Sequence, residues 1–166
     1  PSDNWELGTR DTGSYATLSD VVEYLEWLGE KVESTNNRTK KLTNAAKAIA
    51  AQELSLTELM INGEDNIKGL KDLEGIEIIG GEKNPNRKGL VSFRIVGSPS
   101  QEIVDFLNVN GIRTHVRKAD HYSGNILNPL GWEDCVRVSV CHYNSSEEIK
   151  SLLLALYEFQ MKSPTD

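Results

Sequence analysis

The sequence has only two cysteines, Cys135 and Cys141, and both belong to one valine-rich stretch. Val136, Val138 and Val140 alternate there with small or polar residues, a two-residue period that predicts a strand. Along such a strand the two thiols lie about 20 Å apart, which is too far for a disulfide. We therefore expect a reduced, cytoplasmic setting.

Other shortages exclude whole classes of function. Lys and Arg number 18 against 25 Asp and Glu, which gives a net charge of −7 and a pI near 5.0. This balance argues against an extended basic face for nucleic acid. No apolar run approaches the roughly 20 residues that cross a bilayer. We expect neither a nucleic acid nor a membrane as a partner.

Familiar catalytic and metal-binding motifs are also missing. No glycine-rich phosphate loop opens a predicted helix, and no G-x-S-x-G turn is present. The three histidines are scattered, and no pair has the spacing of a known zinc motif. These histidines are His115, His121 and His142.

Hydrophobic periodicity predicts an α+β domain. Helices are predicted over 17–29, with Thr17 or Ser19 as the cap, and over 36–61. Strands are predicted near 76–79, 90–97, 112–118 and 136–140, and "EDNIKGLKDLEG" is predicted as a short helix or turn. Two more helices follow Ser98-Pro99 and the capping box of Ser145 and Glu148. This order predicts a small, mostly antiparallel sheet with helices packed on one face.

Arg137 stands in the middle of the last predicted strand, on the face opposite the valines. An arginine among small residues can hold a carboxylate through a bidentate fork, which lysine cannot match. An internal salt bridge to one of the 25 acidic side chains is an equally good interpretation on pattern alone.

A second cationic stretch, "GIRTHVRKADHYSG", covers residues 111–124. Arg113, His115 and Arg117 are predicted to share one strand face, and a loop with His121 and Ser123 follows. The stretch fits either an edge strand protected by charges or, together with Arg137, an anion site.

Three blocks of the sequence carry a resemblance to a known family. They are "WELGTRDTGSYATLSDVVEYLEWLG", "GLVSFRIVGSPSQEIVDFLNVNGI" and "CVRVSVCHYNSSEEIKSLLLAL". In this order they resemble the C-terminal part of the class V aminotransferases, in particular the cysteine desulfurase and selenocysteine lyase group. The last block, with its Tyr-Asn before the final helix cap, is the most specific.

The resemblance implies an enzyme that uses pyridoxal 5'-phosphate (PLP), held by a lysine of a large domain, and that acts on an amino acid as a homodimer. Residues 1–16 would be a remnant of that large domain, and residues 17–166 would form the small C-terminal domain. Arg137 matches the arginine that binds the substrate α-carboxylate, and Arg117 matches a second arginine of the site. Gly8 and Thr9 match residues that reach the cofactor phosphate of a neighbouring subunit.

The loop after Arg117 departs from the family pattern. Desulfurases of this group carry a sulfur-accepting cysteine there, whereas this chain has "KADHYSG" with Ser123 as the nearest substitute. Serine cannot form a persulfide, so selenocysteine lyase, β-elimination, transamination and racemisation chemistries stay open. The alternative is a free-standing α+β module that uses the same arginines to bind or sense an anion.

Overall fold

The structure, a computed structural model, describes residues 11–162. The chain divides into two compact units, with the boundary between Ile49 and Ala50. Helix α2 runs across this boundary from Arg38 to Asn62, close to its predicted extent.

The first unit contains helix α1 and the first half of α2. Helix α1 covers Thr12–Val32, and the Asp11 side chain caps it by accepting the backbone N–H of Ser14 at 3.2 Å. The predicted start at Thr17 or Ser19 is therefore wrong. Both hydroxyls instead donate to carbonyls one turn earlier inside the helix, a common alternative for such side chains.

Gly29 lies inside α1 and does not end it, contrary to the prediction. A Cβ atom built at Gly29 would lie 1.8 Å from the carbonyl oxygen of Lys41 in α2. The glycine is therefore required by the close approach of two helical backbones, and α1 continues to Val32.

The second unit begins with the second half of α2 and holds the sheet. Helix α2 ends where predicted, and Gly63 follows with a positive φ of 74°. The remaining elements are β1 (Gly63–Glu64), β2 (Ile67–Lys68), a 3-10 turn (Leu70–Asp72), β3 (Ile76–Ile78), β4 (Leu90–Ile95), α3 (Ser100–Val109), β5 (His115–Lys118), α4 (Gly124–Leu127), a second 3-10 turn (Asn128–Leu130), β6 (Asp134–Ser139) and α5 (Ser146–Lys162).

The main sheet has the strand order β3-β4-β6-β5, and every pairing is antiparallel. Val91 and Phe93 of β4 lie opposite Val138 and Val136 of β6, and all four are buried. They pack in one core cluster with apolar residues of α2, α3 and α5. This confirms the predicted α+β fold with helices on one face of an antiparallel sheet.

The opposite face of the sheet, called the outer face below, is partly covered by residues 119–132. This segment contains α4 and the second 3-10 turn, neither of which the sequence pattern predicts. Leu127 and Trp132 form a small cluster there with Cys135 of β6. The outer face is thus neither open nor fully covered.

Two local predictions have mixed outcomes. The capping box of α5 is confirmed, because the Ser145 N–H donates to Glu148 at 2.7 Å and the Glu148 N–H donates to the Ser145 hydroxyl at 3.3 Å. Strand β5 is shorter than predicted, and Arg113 precedes it, so Arg113 does not share a strand face with Arg117.

Two further observations concern organisation. No helix within residues 11–162 is long and apolar enough to span a membrane. The division into residues 1–16 and 17–166 stays a prediction, and α1 runs across this position without a break.

Candidate functional site

Arg137 lies at the centre of the outer face. It is directly opposite Ser92 of β4 on one side and His115 of β5 on the other. The side chain is half-buried, and its Nε atom is buried without a hydrogen-bond partner among the described residues. Burial lowers the pKa of Arg137, and the nearby charge of Arg117 lowers it further.

Arg117 brings a second positive charge to the same face. Arg117 lies opposite Cys135, which is two residues from Arg137 on β6. The side chain of Arg117 is exposed. Within residues 11–162, neither Arg117 nor Arg137 forms an ion pair. The positive charge of Arg117 lowers the pKa of Arg137, so an anion bound beside both guanidinium groups would be stabilised.

Two other arginines in the second unit show what a structural role looks like. Arg94 pairs with Glu77 at 2.6 Å and lies over the ring of Trp132, with 4.4 Å from its Cζ to the ring centroid. Arg87 donates to the carbonyls of Ile79, Gly81 and Leu90 and so closes the β3–β4 loop. An internal salt bridge of the kind that the sequence allows for Arg137 is thus formed by Arg94 instead.

A cavity of about 290 Å³ opens on the outer face beside the two arginines. Both arginines line it, and so do the side chains of Ser92 and Ser123. His121 is not one of the residues that line it; this residue is exposed, and its ring lies 4.0 Å from that of Tyr122. The other lining residues are Ile79, Leu90, Ile126, Leu127 and Cys135.

Asp120 fixes the loop that carries Ser123. Its carboxylate accepts the backbone N–H groups of Ser123 at 2.8 Å and Tyr122 at 2.9 Å. These two hydrogen bonds lower the pKa of Asp120, and the charges of His121 and Arg117 add to the effect. A carboxylate that is ionised near neutral pH therefore holds Ser123 at the cavity.

Cys135 forms part of the cavity floor. It is only 2% exposed, and burial raises the pKa of its thiol, although a hydrogen bond with Ser92 and the two arginines oppose the shift. A buried thiol with a raised pKa is a poor nucleophile. Both cysteines are free, and Cys141 is half-buried after the end of β6.

Gly8 and Thr9, which are predicted to reach the cofactor phosphate, lie outside the described residues. Among residues 11–162, no group of three or more His, Cys, Asp or Glu side chains is arranged to hold a metal ion. The site is therefore described by the two arginines, the loop and the cavity.

The model of the family described as "Aminotransferase class-V" matches residues 2–152. The chain belongs to this family. Class V aminotransferases are PLP-dependent.

Curated relatives with the names "Probable cysteine desulfurase" and "Cysteine desulfurase" extend the comparison. The former, from Pseudomonas putida, is 33% identical over 67% of this chain and 25% of the relative. The latter, from Synechococcus elongatus, is 29% identical over 96% of this chain and 21% of the relative. The chain thus spans about a quarter or less of these proteins.

A solved structure shows the same fold. The apo cysteine desulfurase from Thermococcus onnurineus matches 96% of this chain and 34% of that chain, with a TM-score of 0.70 and 23% identity. This match supports the α+β fold of the described residues.

The sequence pattern missed most of the cavity wall. Strand parity could have placed Leu90 and Ser92 on the face of Arg137 once β4 was known to pair with β6. The same parity places Ile79 on this face, since it is two residues after Glu77 and its N–H donates to the Ser92 carbonyl at 2.9 Å. No strand signal marks Ile126, because it lies in α4 and reaches the cavity through the tertiary fold.

Proposed function

We propose that this chain acts as the small, substrate-binding domain of a PLP-dependent class V enzyme whose substrate is an amino acid. In this proposal Arg137 binds the substrate α-carboxylate, and Arg117 contributes a second positive charge. The part that holds the cofactor belongs to a longer protein of the kind represented by the cysteine desulfurases matched above.

The observation that carries the proposal is the unpaired guanidinium of Arg137. Its Nε is buried without a hydrogen-bond partner among residues 11–162. Arg137 lies beside Arg117, and both arginines line one cavity. An unsatisfied buried donor costs about 1–3 kcal/mol, and a bidentate carboxylate would satisfy it. A carboxylate ligand is therefore the simplest partner for the site.

In this proposal the lysine that binds the cofactor aldehyde lies outside residues 11–162. Among these residues, no lysine lines the cavity beside the arginines. Gly8 and Thr9 are proposed to reach the cofactor phosphate of a neighbouring subunit, which makes a homodimer part of the proposal. PLP supplies an electron sink for chemistry at the substrate α-carbon when it is bound.

The type of reaction in this proposal depends on the loop of residues 118–124. Ser123 lines the cavity where the resemblance expects a sulfur acceptor, and the one cavity thiol, Cys135, is buried with a raised pKa. We therefore propose an amino-acid reaction that forms no persulfide on residues 118–124. A selenocysteine lyase, elimination, transamination or racemisation reaction meets this condition.

Substitution of Arg137 tests the proposal in a longer protein that contains this chain and the lysine-bearing part. Arg137→Ala should raise the substrate KM by roughly 30-fold or more, since a charge-assisted bidentate contact is worth on the order of 2–4 kcal/mol. Arg137→Lys should restore only part of the loss. Arg94→Ala is the matched control, because Arg94 lies on the same face but is paired with Glu77.

Unchanged kinetics for Arg137→Ala would contradict the proposal and favour an anion-binding or regulatory module. Mass spectrometry after one turnover tests the loop. A sulfur adduct on Cys135 would restore a desulfurase mechanism, whereas a pyruvate or keto-acid product without an adduct supports elimination or transamination.

The 166-residue chain alone should neither hold PLP covalently nor turn over an amino acid. Incubation with PLP followed by borohydride reduction and peptide mapping should find no single lysine modified in stoichiometric amount. One fully modified lysine would contradict the assignment of the cofactor lysine to another part of the protein.

A reducing, cytoplasmic location also stays a prediction, consistent with two free thiols.

A further inference from the structure

The cavity beside Arg137 is lined by two chemically different groups of residues. The first group consists of the two arginines with the hydroxyl-bearing Ser92 and Ser123, and the second consists of five apolar or weakly polar residues. The second group, called the apolar wall below, consists of Ile79, Leu90, Ile126, Leu127 and Cys135.

The apolar wall has a buried floor and an exposed rim. Leu127 and Cys135 are 1% and 2% exposed, whereas Leu90 and Ile126 keep 41% and 56% of their surface accessible. Exposed aliphatic side chains that border a concave site gain free energy when a ligand covers them, at roughly 25 cal/mol per Å² of apolar surface. The rim is therefore ready to contact an aliphatic group.

The charge distribution around the cavity restricts the ligand further. Among residues 11–162, no Asp, Glu or Lys lines it, so the charged groups that a ligand meets in this part of the chain are the two arginines. A charged side chain would place its charge against the apolar wall without a partner. A volume of about 290 Å³ also suits a small molecule.

We propose that this cavity selects small carboxylates with an aliphatic body, and that Ile126 and Leu90 determine this specificity. The inference rests on the proposed function, in which Arg137 holds the carboxylate, and it adds the substrate class: amino acids with an uncharged, apolar side chain. The carboxylate lies at Arg137 and Arg117, and the side chain lies along the apolar wall.

A chain-length series measures the contribution of the wall. The isotope-labelled 166-residue protein is titrated with acetate, butyrate and hexanoate, and the amide signals of Ser92, Ser123 and Cys135 are followed by NMR. Affinity should rise about two- to fourfold for each added methylene until the cavity is filled. Butylammonium, which has the same body and the opposite charge, should leave these signals unchanged.

Two matched variants assign the effect to the wall. Ile126→Ser should flatten the chain-length dependence while it leaves acetate binding within about twofold. Leu130→Ser, at a neighbouring leucine that is 47% exposed and does not line the cavity, should keep the full dependence. Both positions are exposed, so neither change should prevent folding.

The outcomes separate this inference from the proposed function. Binding that is equal for all three acids, or that Ile126→Ser leaves unchanged, overturns the apolar wall but leaves a carboxylate site at Arg137. A chain-length dependence that persists while Arg137→Ala has no kinetic effect in the longer enzyme overturns the proposed function but keeps a site for aliphatic acids. Loss of all three complexes in Arg137→Ala supports both.

Discussion

The two faces of the sheet differ most clearly along β6, which supplies residues to both. Val136 and Val138 point to the core face, where they are buried beside Val91 and Phe93. On the outer face, Arg137 lies between Ser92 and His115, and its Nε is buried without a hydrogen-bond partner in the described part of the chain. The apolar side chains of the core face pack against other parts of the same chain. The outer face instead presents the positive charge of Arg137, which a bound anion can pair with.

Two arginines of the outer face sharpen this comparison. Arg94 has Glu77 directly opposite it in the register, and the ring of Trp132 lies against its guanidinium. Arg137 has no carboxylate opposite it on either neighbouring strand. The two side chains share one face, so their different neighbours alone distinguish a structural arginine from a candidate ligand-binding one.

The largest expected effect concerns the core face. Phe93→Ala should lower the free energy of unfolding by about 3–5 kcal/mol, because a fully buried ring leaves a cavity behind. Its neighbour Ser92, on the outer face, is the control, and Ser92→Ala should cost about 1 kcal/mol or less. Urea denaturation of the 166-residue protein measures both changes. Equal losses would mean that the two faces do not differ as described.

The second effect concerns thiol reactivity on the outer face. Ser123→Cys should introduce a thiol beside two guanidinium groups, which favour the thiolate, whereas the native Cys135 is buried with a raised pKa. In a Cys141→Ser background, the new thiol should react with a disulfide reagent at least about tenfold faster than Cys135 at neutral pH. Faster modification of Cys135, detected by peptide mass spectrometry, would contradict its assignment as an inert floor residue.

A smaller effect is expected on stability, which substitution of Arg137 and substitution of Arg94 should change in opposite directions. Arg137→Met should leave stability unchanged or raise it by up to about 1 kcal/mol, because it removes an unpartnered buried donor and the repulsion from Arg117. Arg94→Met should lower stability by about 1 kcal/mol through loss of the Glu77 pair and the contact with Trp132. Thermal denaturation at low ionic strength compares them. A loss for Arg137→Met as large as that for Arg94→Met would indicate a structural role for both.

The smallest expected effect is the pH dependence of the loop. The pKa of Asp120 is lowered below 3.8, so its hydrogen bonds to Ser123 and Tyr122 contribute fully above that pH and are lost as the pH falls through the lowered pKa. The amide shifts of both residues should titrate with a midpoint below 3.8. Asp120→Asn is the control and should remove this transition. A midpoint above 3.8 would show that the carboxylate does not hold the loop.

Much of the fold follows from local patterns in the sequence. The alternation around Val136 predicts the strand and the opposite orientation of Arg137, and Ser145 with Glu148 predicts the start of α5; both are confirmed. The start of α1 is different, because three side chains can cap within one short stretch and local preference alone does not rank them. Asp11 is the one whose side chain reaches the free N–H of Ser14.

The sequence by itself determined which residues of each strand share a face, because side chains alternate with a period of two in any strand. Only the tertiary structure decided which strands are neighbours, and with them which arginine meets a carboxylate. Glu77 is 17 residues from Arg94 along the chain, and Ser92 faces Arg137 across a similar non-local pairing. Such register depends on how β3, β4 and β6 pack on a common core, which no local pattern encodes. The unpaired state of Arg137 and the apolar wall beside it are products of that packing.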